Sequence, residues 1–343
     1  MSDSLQQNML DAIETELKRQ VARLDQPPTS GFHDMLTYHT GWTGEGAGPQ
    51  ATGKRIRPLM TLLSVASVKN DEQNSADAWR HAVPFAAAIE LVHNFSLVHD
   101  DIQDNSQWRR GRKTVWVKWG APMAINVGDA LFVMANQAAL DLKAHYPAEM
   151  AISAAGILND CCLDLTRGQY LDMSYEERAD LSMEDYWRMI GGKTSALISA
   201  CTQVGALLGY AQEEKIELYR LFGYTLGLAF QVQDDILGIW GDESVTGKSV
   251  ASDLVEGKNS LPVMYALEQN DGFAKRWKQG PITQDEVAAA AALLEKEGGK
   301  AYAEKTSVKL TDKALEYLKQ ADPQGAAGEA LLGLANMLLK RKQ

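Results

Sequence analysis

The sequence predicts an all-α fold, and three observations predict it. Only 10 prolines occur in 343 residues. Apolar residues recur at helical spacing over long windows, as with Ile216, Tyr219, Phe222, Leu226 and Leu228. Alternating runs of β-branched and aromatic residues, the mark of strands, are nearly absent.

The first helix is expected over 4–24 and stops at 25–31, where Asp25, two prolines and Gly31 collect. A glycine-rich loop at 41–53 leads to a helix over 55–69. The next, 76–104, is apolar from Val83 to Val98 and ends in aspartates. A loop at 105–122 precedes helices at 123–143 and 148–175. The segments 192–210 and 222–237, the latter inside a helix over 213–239, are apolar nearly all round, so they belong inside a bundle. After a loop at 240–259, helices are expected at 260–269, 283–296, 299–319 and 324–341, with a loop at 270–282. The alanine run 288–292 is a good helix former. No loop reads as a linker and no short repeat appears, so one domain over 1–343 is expected.

Composition narrows the function. Apolar residues make up 45% and charged residues 23%, as in soluble globular chains and unlike disordered ones. The 34 Lys and Arg against 45 Asp and Glu give a charge of −11, which disfavours nucleic acid or an anionic membrane as the main partner. An anionic ligand must therefore find a local basic patch. No run of about 20 apolar residues suggests a transmembrane segment, and the polar, acidic N-terminus does not resemble a secretory signal. Three cysteines, Cys161 and Cys162 adjacent and Cys201 apart, form neither a disulfide framework nor a zinc spacing and fit a reducing, cytoplasmic compartment.

The first chemical signal is Asp100, Asp101 and Asp104 in the run from His99 to Asp104. Asp100 and Asp104 project from one helix face a turn apart and repel unless a cation lies between them. Hard oxygen ligands at that spacing suit Mg²⁺. A second pair, Asp234 and Asp235, follows Gln231 on another apolar helix. One such pair is usually a solvated cap. Two, each near the C-terminal end of a buried helix where the macrodipole disfavours negative charge, make a polynuclear Mg²⁺ site the economical explanation.

Lys54 with Arg57, Arg109 with Arg110, and Lys193, Lys248 and Lys258 supply cations enough for two diphosphates. Any one of them alone reads equally well as a solvated surface residue. His93, Ser96, Asp100 and Asp104 fall within about 40° on the helical wheel, so His93 is either a hydrogen-bonded core histidine or a contact for a bound anion. Phe95 points to the apolar flank with Leu91 and Val92.

The motifs Gly53-Lys54-Arg55-Ile56-Arg57-Pro58, Asp100-Asp101-Ile102-Gln103-Asp104 with Arg109-Arg110-Gly111, Gly168-Gln169 with Asp172, Gly192-Lys193-Thr194, Phe230-Gln231 with Asp234-Asp235, and Gly247-Lys248 with Asp253 and Lys258 occur in order. In these the chain resembles the trans-isoprenyl diphosphate synthases of the polyprenyl synthetase family. The resemblance implies a single bundle of antiparallel helices around a central active-site cavity, the isoprenoid synthase fold, usually homodimeric. It implies three Mg²⁺ ions, two on Asp100 and Asp104 and one on Asp234, with Asp101 and Asp235 in support. Arg109, Lys193, Gln231 and Lys258 would face an allylic diphosphate, with Lys248 helping to close the site. Lys54, Arg57, His93 and Arg110 would bind isopentenyl diphosphate. Thr194 would steady the developing cation, and Lys340-Arg341-Lys342 resembles a basic closing tail. Gly238 departs from the pattern, standing where many relatives carry a third aspartate. Phe95 and Ser96 resemble the chain-length residues of geranylgeranyl diphosphate synthases, implying a C20 product. The alternatives are a farnesyl or longer-chain synthase, a class I terpene cyclase, or a non-catalytic partner of another synthase.

Overall fold

A computed structural model describes residues 2–68, 77–176, 178, 180–241 and 251–339. The helices are α1 (Ser2–Val21), α2 (Ser30–His39), α3 (Pro49–Thr52), α4 (Ile56–Ser67), α5 (Val83–Gln103), α6 (Val115–Trp119), α7 (Ala121–Leu140), α8 (Ala148–Tyr175), α9 (Met183–Ile190), α10 (Ala196–Leu208), α11 (Glu213–Trp240), α12 (Ser252–Val255), α13 (Leu261–Gln269), α14 (Gly272–Trp277), α15 (Val287–Lys296), α16 (Gly299–Ala321) and α17 (Gly325–Leu339). A two-residue antiparallel pair, β1 (Trp108–Arg109) and β2 (Arg112–Lys113), is the sheet structure among the described residues. The all-α expectation is met.

Six elements lie where loops, or nothing, were expected: α2, α3, the hairpin with α6, α9, α12 and α14. Each is short. The Ser182 hydroxyl accepts from the Asp185 backbone N–H while Asp185 accepts from the Ser182 N–H, a capping box that starts α9. Residues 191–195 continue from α9 as a π-helical turn, so the helix expected from 192 begins with a bulge.

The chain forms two compact units. The first comprises Met1–Asp160, Cys201–Ile216 and Pro323–Leu331. Its core element is α5, packed against α1, α4 and α7. Phe85, Ile89, Leu91 and Val92 are all buried, each contributing about 1.5–3 kcal/mol on removal from water. The Ala86-Ala87-Ala88 run on α5 and Ala124, Gly128 and Ala135 on α7 are small, which suits two helices packed along each other. By length and hydropathy, Ala78–Gln103 and Ala121–Ala144 are apolar enough to cross a membrane, but 72% of the first is buried within the protein, as a core helix would be.

The second unit comprises Cys161–Ala200, Glu217–Asp322 and Leu332–Gln343. One apolar cluster joins Tyr186 and Met189 of α9 to Val232 and Ile236 of α11, Leu261 and Met264 of α13 and Ala303 of α16. Another joins Ile239, Leu254, Phe273 and Leu294. The three cysteines are free and buried.

Candidate active site

In the first unit α5 ends at Gln103 and Asp104 caps it, its N–H bonding the Asp100 carbonyl at 2.8 Å. Asp100 and Asp104 therefore stand one turn apart, as their spacing predicts. Asp101 turns inward and is 2% exposed. Arg109 Nε donates to its Oδ1 at 2.7 Å. Burial raises the Asp101 carboxyl to about 6 even with Arg109 opposing that rise.

The hairpin explains how Arg109 reaches back. Arg110 and Gly111 both have positive φ, 52° and 72°, as a type I′ two-residue turn requires. Arg110 Nη1 then donates to the Ala51 carbonyl at 2.9 Å. Arg112 was not singled out by the sequence. It anchors the loop after α2, donating to the carbonyls of Tyr38, Thr43 and Glu45.

The segment before α4 sorts its three cations. Arg55 adopts a left-handed φ of 48° and is buried, donating from Nη1 to Glu90 Oε1 at 2.8 Å and from Nε to Glu14 Oε2 at 3.2 Å. Lys54 is exposed, and Arg57 Nη1 lies 3.3 Å from His93 Nε2. Burial, then Arg57 and Arg110, hold His93 well below its usual range. His39, a residue the sequence reading missed, is pushed down to about 3 by burial and by Arg109 and Arg110. With Asp101, Arg109 and Arg110 it lines a cavity of about 20 Å³, room for one water. Two histidines kept neutral first by burial and then by nearby guanidinium groups mark a buried pocket with crowded cations. Ser96 Oγ donates to the His93 carbonyl at 2.9 Å, and Phe95 is partly buried on the same helix.

In the second unit Asp234 and Asp235 lie within α11, which runs on to Trp240. Asp235 is 5% exposed. Its Oδ2 accepts from Tyr186 Oη at 2.7 Å and from the Leu261 N–H at 2.8 Å, and its Oδ1 accepts from Gln231 Nε2 at 3.0 Å. Burial raises it to about 7 despite these donors. Because Asp235 takes the Gln231 amide nitrogen, the Gln231 Oε1 is left to accept from Thr194 Oγ1, at 2.6 Å. Nothing in the sequence pattern marks Tyr186, because its partner is 49 residues away.

Thr194 and Lys193 sit in the π-helical turn against α8. A Cβ on Gly168 would lie 2.1 Å from the Lys193 backbone nitrogen, so only glycine permits this crossing. Lys193 Nζ pairs with Asp172, one turn along α8 from Gly168. Asp253 explains Gly238: a Cβ there would lie 1.9 Å from Asp253 Oδ2. Lys258 Nζ is 3.4 Å from Asp253 and 2.6 Å from Glu256. Lys248 and the basic segment 340–342 lie outside the described residues.

Among the described residues no three carboxylate, imidazole or thiolate groups gather as an all-protein metal cage. Mg²⁺ does not need one, since it usually takes one or two carboxylates and completes its shell with water and phosphate oxygens. The acidic donors of α5 and α11 fit that requirement.

Known proteins match this arrangement over nearly the whole chain. The polyprenyl synthetase family model matches residues 48–294. A short chain isoprenyl diphosphate synthase of Methanothermobacter thermautotrophicus is 40% identical over 298 residues, 85% of this chain and 87% of that protein. A (2E,6E)-farnesyl diphosphate synthase of Mycobacterium bovis is 33% identical over 97% of this chain and 91% of its own. The crystal structure of a geranylgeranyl pyrophosphate synthetase from Pyrococcus horikoshii superposes with a TM-score of 0.86 at 32% identity, covering 99% of this chain and 98% of that one.

Proposed function

Because the chain belongs to the polyprenyl synthetase family and is a trans-prenyltransferase, we propose that it condenses isopentenyl diphosphate with dimethylallyl, geranyl or farnesyl diphosphate to give geranylgeranyl diphosphate. The observation that carries this reading is the Asp100–Asp104 turn beside the Arg109–Arg110 hairpin. Hard-oxygen ligands and guanidinium forks on neighbouring elements are what a metal-bound diphosphate needs.

Asp100, Asp104 and Asp234 are the candidate ligands of three Mg²⁺ ions, which when bound neutralise the leaving diphosphate as its charge grows. Arg109, Lys193 and Lys258, with Lys248, add fixed positive charge to that group, an electrostatic preorganisation that lowers the barrier to ionisation. Lys54, Arg57, His93 and Arg110 orient isopentenyl diphosphate so that its double bond attacks the allylic carbon. Thr194 steadies the cation, its hydroxyl held by Gln231, which faces the allylic diphosphate and whose amide nitrogen donates to Asp235. No side-chain nucleophile is required, and the released diphosphate serves as the base for the final proton. Phe95 and Ser96 set the product at C20.

We place the enzyme in the cytoplasm as a single-domain homodimer, a reading supported by its free cysteines and by the exposed apolar side chains of Ile125, Val133 and Leu140 on α7. Purified chain with Mg²⁺, labelled isopentenyl diphosphate and each allylic primer is expected to yield C20 alcohol after dephosphorylation. Release of hydrocarbon from geranylgeranyl diphosphate alone, without condensation, would replace this reading with a terpene cyclase. Inactivity with every primer would favour a non-catalytic partner.

A further inference from the structure

The glycine-rich segment 41–53 in the first unit has little of its own to fix its path, since Gly41, Gly44, Gly46, Gly48 and Gly53 all have positive φ. Its two ends meet at one carboxylate. Glu14 of α1 accepts from Trp42 Nε1 near the start of the segment and from Arg55 Nε, at 3.2 Å, just past its end. Arg55 is held a second time from α5, where Glu90 Oε1 accepts from its Nη1 at 2.8 Å. Asn94 Nδ2 donates to that same Glu90 oxygen at 3.1 Å and to the Glu90 carbonyl at 2.8 Å, so the carboxylate is itself fixed.

The backbone at Arg55 is strained. Its φ of 48° is left-handed, a region that residues with a side chain seldom adopt. The Arg55 side chain is buried, Lys54 before it is exposed, and Arg57 lies in the first turn of α4 with Nη1 beside His93. The same segment cradles Arg110. The Ala51 carbonyl accepts from Arg110 Nη1 at 2.9 Å, and a Cβ on Gly53 would lie 2.8 Å from Nη2 and 2.9 Å from Cζ, so the glycine backbone rests on the face of that guanidinium. Burial lowers the Arg110 pKa, and the Glu90 carboxylate is the chief group opposing that. Arg109, next to it in the chain, is held elsewhere, by Asp101 of α5.

From this arrangement we infer that Arg55, gripped between Glu14 and Glu90, is a positioning residue for isopentenyl diphosphate. The inference rests on the reading of Lys54, Arg57 and Arg110 as the cations that bind that substrate. A buried ion pair adds little net stability over an apolar pair of the same shape, so the value of this one lies in fixing a place. Arg55 touches no substrate. By pinning the end of the segment it sets where Lys54 stands, where α4 starts toward Arg57, and where the Ala51 carbonyl and Gly53 meet Arg110. Once Arg55 is released, the three cations no longer converge. The Asp101–Arg109 pair does not depend on that segment, so the site for the allylic diphosphate is spared.

The test uses the full-length enzyme with Mg²⁺ and measures KM separately for isopentenyl and geranyl diphosphate. In Arg55→Asn/Glu90→Gln the two buried charges leave together, and asparagine tolerates a positive φ, so the turn itself is kept. The KM for isopentenyl diphosphate is expected to rise about ten-fold, with that for geranyl diphosphate within about two-fold of wild type. Arg55→Lys, which reaches one carboxylate but not both, should recover part of the loss, with a rise of about three-fold. It carries the test alone if thermal denaturation finds the double variant unfolded at the assay temperature. An unchanged KM for isopentenyl diphosphate overturns the inference. So does an equal rise in both constants, which marks a merely structural role. Lys54→Ala removes one of the cations directly: if it leaves the KM for isopentenyl diphosphate unchanged, the premise fails and the inference with it. A wild-type chain that makes no condensation product rejects the function beneath both.

Discussion

Asp101 and Asp235 occupy equivalent places in two Asp-Asp pairs, and both are buried, yet different chemistry holds them. Asp101 is met by a guanidinium at 2.7 Å, on a hairpin whose arginine side chain is still 29% exposed. Asp235 is met by neutral donors: a tyrosine hydroxyl, a backbone N–H and a glutamine amide. An ion pair near the surface can be shared with an incoming anion, because Arg109 has further donors to offer. A socket of neutral, buried donors cannot be shared, and its value lies in fixing orientation. The Asp101 pair is thus built to share charge and the Asp235 socket to hold a geometry.

The strongest way to break that comparison is to remove the outward-facing member of each pair. Asp100→Ala and Asp234→Ala are each expected to lower kcat by on the order of 10²–10³-fold or more, since both motifs serve the charge that develops on the diphosphate. Steady-state kinetics at saturating Mg²⁺ checks this. A variant of either position with near wild-type turnover would leave one motif without a part in ionisation.

The inward-facing members should separate by stability instead. Asp235→Ala strands the Tyr186 hydroxyl and the Leu261 N–H in an apolar cluster, so a loss of about 2–4 kcal/mol is expected. Asp101→Ala leaves Arg109 able to turn to water, so about 1 kcal/mol or less should be lost. Urea denaturation of the two variants, without metal, gives the order. If Asp101→Ala costs more, the contrast between shared pair and fixed socket is wrong.

Much of this was legible in the sequence because it is local. A helix carrying aspartates four residues apart must present them on one face, and the long helices have enough apolar periodicity to be recognised. The short elements were not legible. Helix α9 begins at a capping box whose third-residue acid is Asp185 rather than the usual Glu or Gln, and α2 is flanked by the prolines and glycines that signal a loop. Partners distant in the chain were equally hidden. Asp100 and Asp104 could be seen to need a cation and Arg109 to lie close by in sequence, but Asp101 with Arg109, Tyr186 with Asp235, Asp172 with Lys193 and His39 with the arginines depend on how the chain folds back and how helices cross. Gly238 read as a lost aspartate, whereas in the structure it is the space that Asp253 fills.

A pH series sharpens the electrostatic side of the contrast. All six histidines fall in the first unit, and His39 there has its folded pKa near 3, below the 6.5 of an unconstrained imidazole. Between those values the unfolded chain binds a proton that the folded chain refuses, so the stability present above pH 6.5 is lost as pH falls. Relative to His39→Gln, the wild type should lose about 1–2 kcal/mol between pH 7 and 5. Equal slopes in the two proteins would mean that burial beside the arginines does not hold His39 neutral.

The smallest effect tests how finely the second unit is fitted. Gly238→Ala adds helix propensity worth about 1 kcal/mol. It also places a Cβ 1.9 Å from Asp253 Oδ2, so that carboxylate must swing away. The displaced group is the end of a side chain on a short turn, and moving it costs far less than moving backbone, so the two effects should nearly cancel and leave stability within about 1 kcal/mol of wild type. Function should register what stability does not. Lys258 keeps Glu256 but loses Asp253, and an ion pair of this exposure is worth a fraction of a kcal/mol to about 1, so the KM for the allylic diphosphate should rise about two- to five-fold. The KM for isopentenyl diphosphate should stay where it was, because the residues assigned to it lie in the other unit. Both constants rising together would mean that Asp253 supports the fold of its unit rather than the placement of Lys258.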